Sequence, residues 1–144
     1  MTKSFVRSGL TALACAAVLA VASPAMAAMV NLKADLKATN EVPPTDSKGS
    51  GSVTATFDSD SKKLSWKGTV SGLTGPATAA HFHAGESGKN GGVVVPIAGA
   101  DKGAFEGSAT LTDAQATELM AGKWYVNVHT AANKGGEIRG QVTK

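Results

Sequence analysis

Three histidines are the only residues in this 144-residue chain whose type and spacing suggest chemistry. His81 and His83 flank Phe82 in "ATAAHFHAG", and His129 closes "KWYVNVHT". If Ala77–His83 is a strand, alternation puts Ala77, Ala79, His81 and His83 on one face and Phe82 on the other. The two histidines then stand roughly 6–7 Å apart at their bases. Their rings can converge on one ion at a metal–nitrogen distance of about 2 Å. In "KWYVNVHT" the same alternation puts Trp124, Val126 and Val128 on a core face and Tyr125, Asn127 and His129 on the other. If the two strands are neighbours, the three imidazoles meet, and neutral imidazoles suit copper or zinc. The competing reading is a polar pair at a strand end, with His129 bonded to a loop carbonyl.

Four residues are candidates to orient the histidines from outside: Tyr125, Asn127, Glu137 and Arg139. Glu137 can accept a hydrogen bond from a ligating histidine. It can equally form a same-face ion pair with Arg139 that helps set strand register. Glu41 in "NEVPP" is similarly open, and Pro43 and Pro44 read as loop stiffeners. Other chemistries are excluded. There is no phosphate-binding glycine loop opening a helix and no defensible serine–histidine–acid set. "DSDSKK" has too few oxygen ligands for calcium and reads as a turn.

The elements that must position these residues are strands. "VNLKADLK" alternates Val30, Leu32, Ala34 and Leu36 against polar partners, and residues 51–71 read as a hairpin. Further strands are expected at Ala77–His83, Gly92–Ile97, Gly103–Leu111, Lys123–Thr130 and Gly136–Val142. One short helix near 113–121 is announced by Thr112 and Gln115, a capping box, with Gly122 at its end. The expected architecture is all-β: an antiparallel β-sandwich of Greek-key, immunoglobulin-like or superoxide-dismutase-like type, with that single helix.

The N-terminus reads as a signal peptide over residues 1–27. Lys3 and Arg7 precede the apolar run Leu10–Ala22, and "AMA" ends the segment. The run is shorter than the roughly 20 residues that span a bilayer. The only cysteine, Cys15, lies in this run, so residues 28–144 offer neither disulfides nor thiolate ligands. Without Lys3 and Arg7, 12 of the 14 basic residues remain against 11 acidic ones. No basic block is present, which argues against a nucleic-acid partner. Residues 28–144 suit one domain, placed in the periplasm or outside the cell, with no membrane association after cleavage.

"NEVPP", "AAHFHAG", "NGGVVVPI", "AGKWYVNVHT" and "GGEIRGQV" occur in this order. With them the chain resembles the CHRD domain, first described in chordin and found in secreted bacterial proteins. The resemblance spans about residues 30–142 and implies a β-sandwich-like domain. It says little about biochemistry. The His-x-His strand also resembles the copper-binding strand of copper–zinc superoxide dismutases, but the further histidines and acidic ligand of a bridged dinuclear site are missing. The expectation is a metal-binding module, for copper or else zinc, that buffers, carries or senses the ion without turnover. The alternatives are an interaction domain for protein or carbohydrate with structural histidines, and a mononuclear copper oxidoreductase.

Overall fold

The computed structural model describes residues 28–144; the segment read as a signal peptide, with Cys15, lies outside the described residues. The strands are β1 (Met29–Lys37), β2 (Ser50–Asp58), β3 (Lys63–Ser71), β4 (Ala77–Ala84), β5 (Val93–Pro96), β6 (Ala104–Thr110), β7 (Trp124–Thr130) and β8 (Ile138–Gln141). The helix α1 (Asp113–Met120) precedes β7. The Thr112 side chain accepts from Gln115 N while the Gln115 side chain accepts from Thr112 N, which forms the expected capping box. Between β2 and β3, Asp58 Oδ1 accepts from Asp60 N at 2.9 Å, so "DSDS" is the turn its composition predicts.

All pairings are antiparallel, and the strand order is β5-β4-β7-β8-β1-β2-β3-β6. The seam between β8 and β1 is narrow: Lys37 pairs with Arg139, and a bridge joins Lys33 to Thr143. The sheet folds over at this seam, so its two halves face each other. Trp66 on β3 and Phe82 on β4, from opposite halves, meet edge to face with centroids 5.1 Å apart. The all-β reading with one short helix is therefore correct, and the sandwich is one continuous ladder closed over its own core. Val53, Phe57, Leu64, Trp66, Phe82, Trp124, Val126 and Val128 all belong to one buried cluster. Burying each large side chain contributes about 1.5–3 kcal/mol before entropy is counted.

Two features differ from strict alternation. Ala77 belongs to the core cluster with Ala80 and Phe82, not to the histidine face. A register shift between Ala77 and Ala79 is responsible: one extra residue in a strand reverses the phase of every side chain beyond it. Strand β7 is also buried on both faces. Tyr125 and Asn127 are as enclosed as the core residues beside them. The cover comes from two segments outside the sheet, residues 38–48 and 85–92, tied together where Asn90 Nδ2 donates to the Val42 carbonyl at 2.9 Å.

Candidate metal centre

Strands β4 and β7 are neighbours, with Ala79 opposite His129, His81 opposite Asn127 and His83 opposite Tyr125. His129 therefore stands diagonally from His81, and the small Ala79 leaves room for its ring to lean across. His81 Nδ1 and His129 Nε2 are 3.2 Å apart. At the usual metal–nitrogen distance of about 2.0–2.1 Å, that separation subtends about 100° at an ion. The His83 ring lies 5.5 Å from His81 and 6.2 Å from His129, centroid to centroid. One ring nitrogen from each of the three lies within 4.8 Å of the others. The structure thus brings together all three histidines singled out in the sequence.

Two of the rings have their protons placed by backbone carbonyls. His83 Nδ1 lies 3.0 Å from the Gly91 carbonyl, and His129 Nδ1 lies 2.9 Å from the Lys134 carbonyl. A carbonyl only accepts, so each Nδ1 carries a proton and each neutral ring presents its Nε2 lone pair inward. Carbonyls play this role behind metal-ligating histidines. His83 Nε2 is buried and has no hydrogen-bond partner.

His83 is also held by stacking. Its ring lies 4.8 Å from Tyr125 at an interplanar angle of 8°. The Arg139 guanidinium covers Tyr125, with Cζ 3.4 Å from the ring centroid, so Tyr125 on the middle strand is sandwiched between its neighbours' side chains. Arg139 is itself buried, and donates to Asn90 Oδ1 at 3.0 Å and to the Lys89 carbonyl. It thereby fastens the 85–92 segment over the site. Burial, and then the neighbouring imidazoles of His129 and His83, hold His81 below the ordinary histidine range. Burial lowers His83 too; the Gly91 carbonyl and the Asn127 side chain oppose it, while His129 and Arg139 reinforce it. Both rings therefore favour the neutral form that binds metal.

The cover depends on Gly91. A Cβ there would run into the Ala84 carbonyl, so any other residue must displace the segment. Gly91→Ala is expected to release His83 Nδ1 and Tyr125 Oη together, since both bond to Gly91. The check is a changed His83 ring resonance with unaltered strand signals; an unmoved His83 would contradict it.

Asn127 sits among the three histidines, opposite His81 and two residues from His129. Its Nδ2 lies 3.4 Å from both Glu41 Oε1 and the Gly135 carbonyl, while its Oδ1 is buried and unpartnered. Glu41 is buried beyond it. Burial raises the Glu41 carboxyl, partly offset by the Arg139 charge and by hydrogen bonds from Asn127 and Val42. Sequence reasoning left Glu41 open because no periodicity governs a proline-rich loop. The one available signal was a carboxylate immediately before "VPP".

Glu137 requires a correction. It neither touches a histidine nor pairs with Arg139. Its carboxylate accepts from Ser47 Oγ at 2.5 Å, Thr74 N at 2.8 Å, Thr74 Oγ1 at 2.7 Å, Thr130 Oγ1 at 2.5 Å and Asn133 Nδ2 at 3.1 Å. Burial opposes its ionisation, but hydrogen bonds from Ser47, Thr130 and Thr74 prevail and hold its pKa at about 2. It is the hub that ties three loops to β8. The reason is topological: the residue before β8 turns into the junction of those loops rather than along the histidine face.

A groove of about 750 Å³ lies on the other half of the sheet, among Lys67, Phe105, Glu106 and Lys102. None of the three histidines lines it. The family model of the CHRD domain matches residues 32–142. No curated protein and no solved structure gives a significant match.

Proposed function

Because the chain belongs to the CHRD domain family, a domain of the extracellular or periplasmic type, and its three histidines converge, we propose that it binds one transition-metal ion through His81, His83 and His129. The ion is copper, with zinc as the second choice, and the protein buffers, carries or senses it in the periplasm or outside the cell. A set of imidazoles without thiolate favours these metals, and copper leads the affinity order of the divalent first-row ions. The observation that carries the reading is the pair of carbonyls behind His83 and His129, which leave two Nε2 lone pairs facing the space beside His81 Nδ1. When bound, the ion would supply Lewis acidity. The residues of this chain supply placement, tautomer and exclusion of water.

Titration of metal-free protein with Cu(II) and Zn(II) tests this. Zn(II) is followed by the ring resonances of the histidines, and Cu(II) by electron paramagnetic resonance. The expected result is one equivalent of ion, with all three histidines responding together. Absence of binding, or a response of His81 and His83 without His129, would refute it. The metal-free protein is expected to melt cooperatively, because its core does not involve the site. At an ion excess of about 100 times Kd, the melting temperature should rise by roughly 10 °C.

A further inference from the structure

We propose that Asn127 Oδ1 is a fourth ligand of the ion and that Glu41 is the positioning residue that aims it; this rests on the three-histidine reading above. The Asn127 amide has a donor end and an acceptor end, and the structure treats them differently. Both neighbours of Nδ2, the Glu41 carboxylate and the Gly135 carbonyl, can only accept. They fix which way the amide faces. Oδ1 must then point away from them, and it ends buried without a partner. Asparagine enclosed only to fill space would have both ends satisfied.

On the neighbouring strand, diagonal to Asn127, a second atom is equally short of a donor. His83 Nε2 is buried and unpartnered, and because Nδ1 carries the ring proton it offers only a lone pair. No hydrogen bond joins His83 Nε2 to Asn127 Oδ1. Two acceptor-only atoms cannot satisfy each other. Both can be satisfied by one cation, and His81 and His129 bring two more nitrogens to the same place. The set is then three nitrogens and one oxygen, all neutral. The Glu41 carboxylate, reached through the Asn127 amide, supplies the nearest compensating charge and draws electron density toward Oδ1.

The loop is shaped around this arrangement. Gly136 has φ +129°, and a Cβ there would collide with both Asn127 Nδ2 and the Glu41 carboxylate. The glycine pair in "NKGGE" lets the backbone close over the donor end of the amide while its acceptor end stays free.

Co(II) serves as the probe, since its visible absorption reports coordination number and oxygen ligation. Asn127→Ala is expected to weaken Co(II) binding about 10-fold or more, less than loss of an imidazole because a neutral amide oxygen is the weaker donor to this metal, and to change the absorption bands, with the melting profile retained. A second variant reverses the polarity of the pair: Asn127→Asp combined with Glu41→Gln keeps an oxygen facing the ion and a hydrogen bond between residues 41 and 127, and moves the charge onto the ligand. It is expected to bind Co(II) at least as tightly as the unmodified protein. If the unmodified protein binds no Co(II), Zn(II) or Cu(II), the three-histidine reading fails. If it binds, and Asn127→Ala binds equally tightly with the same spectrum, only the role of Asn127 is overturned. Should Asn127→Ala not fold, weaker binding by the double variant overturns it instead.

Discussion

Glu137→Ala is expected to lower the unfolding free energy by about 3–5 kcal/mol. Glu137 is fully enclosed, and its two oxygens accept from five donors on Ser47, Thr74, Thr130 and Asn133. Hydroxyls can turn elsewhere when the acceptor goes. The Thr74 amide, fixed in the backbone, cannot, so it loses a partner that no side-chain rotation restores. The carboxylate also gives stability a pH dependence of known sign. Its pKa falls from 4.5 to about 2 on folding. The contribution is therefore fully present above the unfolded value and is lost as pH falls from about 5 toward 2. At 1.36 kcal/mol per unit it is about 3 kcal/mol. Urea unfolding of the unmodified protein across this range should show the loss, and Glu137→Gln should lack that component. Equal stability of Glu137→Ala and unmodified protein at pH 7 would contradict the assignment. The substitution also reaches the metal centre, because Thr130 and Asn133 belong to the turn that supplies the Lys134 carbonyl behind His129.

His129→Ala is expected to reduce Cu(II) affinity by at least about 100-fold, more than the 10–100-fold typical of residues behind the ligands. His81→Ala should match it, since each removes one nitrogen of the close 3.2 Å pair and leaves the rest of the ladder intact. Phe82→Leu should leave affinity nearly unchanged although Phe82 lies between two ligands in sequence, because its ring packs against Trp66 and Trp124 in the core. Metal competes with protons for the same nitrogens. As His81 and His83 are held below the ordinary histidine range, affinity should persist beneath pH 6.5, the value for an unperturbed imidazole, and fall only at lower pH. Competition with a chelator of known affinity measures both effects. If His129→Ala binds copper as tightly as the unmodified protein, His81 and His83 do not share a site with it.

Much of this protein is determined by its sequence alone, because periodicity is a local property. Alternation states which side chains of β1, β2, β3 and β7 face the core, and the capping residues state where α1 begins. Alternation also puts His81 and His83 on one face. It does not state which strands pair. β4 and β7 are separated in the chain by β5, β6 and α1, and only the closed sheet sets Ala79 opposite His129 and so brings the third imidazole across. Nor does it show the shift that moves Ala77 into the core, because a bulge is defined by two strands and visible in neither. Burial of the polar face of β7 was hidden for a related reason. Alternation puts Tyr125 and Asn127 on the face opposite the core and cannot show that residues 38–48 and 85–92, which have no period of their own, fold across it. That cover excludes water from His83 and leaves its Nε2, with Asn127 Oδ1, buried and unpartnered. Residue types and faces are encoded along the chain, but register, enclosure and the direction of a lone pair exist only between segments, and the tertiary structure decides them.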